Sequence, residues 1–157
     1  MHQTAENQVL FAHRFDATAD SVRQTVQLAC AALVAVGVGD DARGTIELVL
    51  AEALNNVVEH AYAGCAQGRI DTELRRAPGQ VRIEIRDQGA PLPGGALPWC
   101  PRDGLADVRQ SLPEGGFGWQ LLVRLTRHIC YVRIDGENRL TLVIDHDWWN
   151  APKPSPS

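Results

Sequence analysis

At 157 residues the chain suits one domain, long enough for a core without disulfide or metal staples. Its 45% apolar and 22% charged residues are ordinary for a globular protein, and a net charge of -4 offers no basic face for nucleic acid. No apolar run approaches the roughly 18 residues that span a membrane, residues 1–11 lack a signal-peptide pattern, and the four scattered cysteines, Cys30, Cys65, Cys100 and Cys130, form no C-x-x-C pair, so a cytoplasmic protein with reduced thiols is expected.

Residues 1–8 read as an N-terminal extension to a domain over 9–147. "VLFAHRF" (9–15) predicts a first strand. A helix follows, with Val22, Val26, Ala29 and Leu33 at helical spacing and Gly37 and Gly39 ending it. Asp40 or Asp41 suits the cap of a second helix running to Tyr62. "RIDTELRRA" and "QVRIEIRD" then predict a hairpin around "PGQ". In its second arm Val81, Ile83 and Ile85 alternate with Arg82, Glu84 and Arg86, which marks one buried and one wet face.

Residues 88–116 are dense in glycine and proline and too long for an ordinary connection; loops of that length tend to be functional or disordered. "GWQLLVRLTRH" predicts a third helix, and "ICYVRIDGENRLTLVIDHD" a hairpin with "DGEN" at its tip. The tail 148–157 ends in "NAPKPSPS", a composition that favours disorder. Helices and hairpins segregate, which predicts an α+β, two-layer sandwich: a mixed, mainly antiparallel sheet with helices on one face.

Three stretches carry the chemistry. On the second helix Glu52, Asn56 and His60 lie at i, i+4, i+8, and each step advances only ~40°, so they form a nearly axial stripe on the border of the apolar face. Asn55 and Glu59 lie further out and read as solvated. "RDQGAP" ends a strand with Asp87 and breaks it at Gly89, so a carboxylate can accept a hydrogen bond where a flat ligand approaches. "GGFGWQLL" places Gly115, Gly116 and Gly118 before a helix, where free N–H groups suit phosphate. No GK[ST] follows, so it is not a P-loop.

In this order, "E-x-x-x-N-x-x-x-H" on a helix, "D-x-G-x-P" after a strand and "G-x-G" opening a helix resemble the GHKL (histidine-kinase-like) ATPases. The chain is most similar to their anti-sigma factor serine-kinase branch, through Glu52, Ala53, Asn56, His60, Ala61 and Tyr62. The resemblance spans roughly residues 11–144 and implies the Bergerat-type ATP-binding fold.

It also implies ATP and Mg2+ as cofactors. Asn56 would coordinate Mg2+, Glu52 would act as general base towards a serine hydroxyl, and Asp87 would bind the adenine amino group with Gly89 giving the base room. Thr141 would join from the last hairpin. Gly116 and Gly118 would free backbone for the phosphates, and residues 92–115 would form a lid whose Arg102 and Arg109 could add positive charge. His60 would have a structural role. The implied partners are a STAS-domain anti-sigma factor antagonist, phosphorylated on serine, a sequestered sigma factor, and a second copy in a homodimer.

Departures from the family pattern are Asn55, Trp119, the Trp99–Cys100 stretch of the lid, and Trp148 with Trp149. Two other readings stay open: a non-catalytic ATP-gated binding module, and the detached ATP-binding half of a histidine kinase.

Overall fold

The computed structural model describes residues 8–62, 67–92 and 117–145. Strand β1 (Gln8–Asp16) leads into helix α1 (Ala19–Ala35). The Thr18 side chain caps α1 by accepting from the Ser21 N–H at 3.1 Å. Helix α2 (Asp40–Asn56) follows, and its last turn continues as a π-helical turn, Val57–Ala61. The N-cap of α2 is Gly39, with Asp40 and Asp41 in the first turn, where carboxylates complement the helix dipole without acting as the cap.

Strands β2 (Arg69–Ala77) and β3 (Gln80–Asp87) form the first hairpin. Helix α3 (Phe117–Leu125) precedes a second hairpin of β4 (His128–Ile134) and β5 (Glu137–Asp145). That hairpin turns at Asp135 and Gly136, with φ of 52° and 79°. Positive φ at both positions is what a two-residue turn matched to strand twist requires, and Asp-Gly supplies it at little cost.

The five strands lie in the order β1-β2-β3-β5-β4. The sheet was expected to be mixed and mainly antiparallel, and among the described residues all four pairings are antiparallel. β5 inserts between β3 and β4, so those two run parallel without touching. Alternation decides the faces. Val81, Ile83 and Ile85 on β3 stand beside Ile144, Leu142 and Leu140 on β5, and these buried rows meet the apolar stripes of the helices in one core.

Leu33, Ile46, Leu50 and Leu54 are fully buried in it. Removing such a side chain typically costs about 2–5 kcal/mol. The helix contacts run α1 to α2 and α2 to α3, so α2 is the central helix of the covering layer. The opposite sheet face is polar, with ion pairs Arg14–Asp71 and Arg86–Glu84 at 2.7 and 3.6 Å. At such exposure water and salt screen both pairs, and neither is a main source of stability. Among the described residues no helix is long and apolar enough to cross a membrane.

Candidate functional site

A cavity opens where the C-terminal end of α2 faces the end of β3. Ala53, Asn56, Val57, His60 and Ala61 form its helical wall. Asp87, Ala90, Pro91 and Leu92 come from β3 and the segment leaving it. Trp119 of α3, Tyr131 of β4, and Asn138 and Leu140 of β5 close the remaining side. Three residues predicted from sequence, Asn56, His60 and Asp87, therefore meet in one place.

The end of α2 is shaped by the "HAY" residues. The Tyr62 N–H bonds to the Val57 carbonyl at 3.3 Å, the i to i+5 bond of a π turn. Such insertions are frequent at functional sites. The wider turn carries the Ala61 carbonyl to the Ala90 N–H, 2.8 Å away. It also leaves His60 exposed at the cavity mouth. The buried Tyr62 ring sends its hydroxyl between two strands. The hydroxyl donates to the Arg69 carbonyl at 2.8 Å and accepts from the Gln88 N–H at 2.9 Å.

Gly89 is also constrained within the fold itself. A Cβ there would meet the Ala61 carbonyl oxygen at 2.4 Å and its carbon at 2.7 Å. The glycine is required because the π turn presses its backbone against it.

Asp87 is 6% exposed. Its Oδ1 accepts from the Gly89 N–H at 2.9 Å and from Asn138 Nδ2 at 2.8 Å. Burial pushes its carboxyl above the usual carboxylate range, while the Asn138 and Gly89 hydrogen bonds and the Arg133 charge pull it back. Asn56 is 9% exposed, and its Nδ2 has no hydrogen-bond partner among the described residues. A buried amide left so costs stability unless a ligand engages it. The same amide carries a carbonyl oxygen, a hard ligand on a residue that lines the cavity. Mg2+ takes such ligands and keeps several waters or phosphate oxygens besides; the residues fit that ion.

Glu52 lies one turn before Asn56, half-buried and outside the cavity lining. Thr141 is not brought to the site. In β5 it stands beside Glu84 of β3 and Cys130 of β4 on the uncovered face. The position opposite Asp87 belongs to Asn138, three residues away and hence on the other side of the strand. Gly118 lies in the first turn of α3. Gly116, Arg102, Arg109, Trp99, Cys100, Trp148, Trp149 and all of the expected lid but Leu92 lie outside the described residues.

Sequence reasoning missed Asn138, Tyr131 and Arg133. A signal existed: the Asp-Gly turn pairs Arg133 with Asn138, and asparagine is depleted in strands.

The chain matches the family described as "Histidine kinase-like ATPase domain" over residues 15–144. It is 36% identical over 101 residues to "Serine/threonine-protein kinase BtrW" of Bordetella bronchiseptica, covering 64% of this chain and 68% of that protein. Among solved structures it resembles the RsbU and RsbW domains of Rv1364c from Mycobacterium tuberculosis, with a TM-score of 0.54 and 19% identity. That likeness covers 86% of this chain but only 32% of the other, and at such identity it speaks for the fold alone.

Proposed function

The chain belongs to the histidine kinase-like ATPase domain family, and from that premise we propose that it binds Mg-ATP in the α2–β3 cavity and acts as an anti-sigma regulatory factor with protein-serine kinase activity. The observation that carries this reading is the meeting, in one cavity, of a buried carboxylate and a buried amide with an unclaimed polar atom. Asp87 Oδ2, the oxygen its two donors do not use, accepts the base amino group. Asn56 supplies an oxygen to Mg2+, and the ion, when bound, neutralises charge on the phosphates.

Glu52, a turn away, takes the proton of the attacking serine. The serine oxygen bonds to the γ-phosphorus, the bond to the β–γ bridging oxygen breaks, and ADP leaves. The kinase part draws on the relative named as a serine/threonine-protein kinase. The substrate is a STAS-type anti-sigma factor antagonist, and the sequestered partner a sigma factor or equivalent regulator. A homodimer, a cytoplasmic location, phosphate contacts from Gly116 and Gly118, and a nucleotide-ordered lid belong to the same proposal.

Phosphate transfer from labelled ATP to STAS proteins encoded nearby tests it. Glu52→Gln is expected to slow transfer by about 100-fold or more, the range of a general base, while ATP binding persists. Transfer at the wild-type rate by Glu52→Gln would remove Glu52 from that role. No transfer to any such protein would leave the ATP-gated binding module as the better reading.

A further inference from the structure

The side-chain amide of Asn138 is saturated by protein. Nδ2 donates to Asp87 Oδ1 at 2.8 Å and to the Ala90 carbonyl at 2.9 Å, with the Gly89 carbonyl at 3.3 Å. Oδ1 accepts from the Tyr131 hydroxyl and from Arg133 Nη1, the latter at 2.7 Å. An amide has two N–H donors and two acceptor lone pairs, so both ends are engaged. Only one orientation allows this. Turned over, its oxygen would face the Asp87 carboxylate and its NH2 a guanidinium. Asn138 therefore has no capacity left for a ligand, although it lines the cavity.

The same cluster holds the chain as it leaves β3. Arg133 Nη1 donates to the Gly89 carbonyl at 2.9 Å, and the Leu92 N–H donates to the Tyr131 hydroxyl at 2.9 Å. Ala90 is held by Asn138 on one side and by the Ala61 carbonyl on the other. Ala90, Pro91 and Leu92 form one cavity wall. Asn138 is 3% and Tyr131 7% exposed, so these bonds are shielded from water and each is costly to break.

We propose that Asn138 and Tyr131 are positioning residues of the nucleotide site: Asn138 fixes which oxygen of Asp87 faces the cavity, and Tyr131 fastens the 89–92 wall to the β4–β5 hairpin. The proposal rests on the ATP-binding reading above. With Oδ1 held by Gly89 and Asn138, Oδ2 is the oxygen left to accept from a ligand in the cavity that Asp87 lines, and on this proposal the site selects a purine that donates a hydrogen there. Without Asn138 the carboxylate can rotate, and that selection is lost.

The test is calorimetric titration of the full chain, in Mg2+, with ATP and with purine riboside triphosphate, which lacks the 6-amino group. Wild type is expected to prefer ATP by about tenfold or more, the worth of one shielded hydrogen bond. Asn138→Leu, with the same branching of heavy atoms but without polar atoms, is expected to bring the two nucleotides to within about threefold of each other. Tyr131→Phe keeps both donors to Asp87, so it is expected to keep the preference and weaken both nucleotides alike, by about fivefold.

If Asn138 were merely structural, its loss would weaken both nucleotides equally. A preserved preference in folded Asn138→Leu therefore overturns the proposal, as does wild-type protein that binds both nucleotides equally. If Asn138→Leu does not fold, Asn138→Ala takes its place with the same expectation and the same overturning result, and wild-type binding of both nucleotides by Tyr131→Phe overturns the role of Tyr131. Wild-type protein that binds neither nucleotide gives a different result: it overturns the ATP reading and this role with it.

Discussion

Replacing Gly89 by alanine would drive a methyl group into backbone. The new Cβ would lie 2.4 Å from the Ala61 oxygen, 2.7 Å from its carbonyl carbon and 2.8 Å from its Cβ. None of these is the far end of a flexible side chain. Ala61 is held by the π turn and by the 2.8 Å bond from the Ala90 N–H, so relief requires the two segments to separate. Overpacking of this kind costs about 1–3 kcal/mol. Loss of the Ala90–Ala61 bond adds about 1 kcal/mol, for a total of roughly 2–4 kcal/mol. At about 2–4 °C per kcal/mol for a domain of this size, the melting temperature should fall by roughly 4–16 °C. Urea denaturation and thermal melts of the pure protein measure both. Gly44→Ala is the control, because Gly44 is exposed inside α2 with no heavy atom within 4 Å of a built Cβ. It should stabilise by about 0.5–1 kcal/mol through helix propensity. If Gly89→Ala stays within about 0.5 kcal/mol of wild type, the close approach of Ala61 is not what requires the glycine.

Tyr62→Phe removes the hydroxyl that joins the Arg69 carbonyl to the Gln88 N–H. It should cost about 1–3 kcal/mol in urea denaturation, the net worth of two part-buried hydrogen bonds. Asp87→Asn should separate stability from function. Burial first of all raises the folded pKa above 3.8, so the favourable contribution of the neutral acid is present below that value and lost as pH rises through the folded pKa. Asp87→Asn should therefore be at least as stable as wild type at neutral pH, with its advantage shrinking as pH falls, while ATP affinity drops by about tenfold or more. Denaturation across pH and calorimetry together check both halves.

Much of the fold was legible because alternation and helical spacing are direct consequences of burial. Val22, Val26, Ala29 and Leu33 were placed on the inner face of α1 from spacing, and all four are buried. The phase of Val81, Ile83 and Ile85 also extends to Asp87, which shares their face. Thr141 shows the limit. The turn at Asp135–Gly136 sets β4 against β5, but the pairing of β5 with β3 is a long-range register that no local pattern states. A shift by an odd number of residues reverses the face, which is why Asn138 and not Thr141 stands beside Asp87. The π turn was also not legible. "VVEHA" suits an ordinary helix, and what widens the turn is tertiary: Tyr62 anchored to two strands and the Ala61 carbonyl drawn to Ala90.

Calorimetric titration with ATP, with and without Mg2+, on wild type and Asn56→Ala is the most direct test of the nucleotide site. Mg2+-dependent binding by wild type is expected. In Asn56→Ala the Mg2+-dependent gain should be lost, at a cost of about tenfold or more in affinity. Folded wild-type protein that binds no ATP in either condition, or Asn56→Ala that keeps the full Mg2+-dependent gain, would contradict the assignment of this cavity to Mg-ATP.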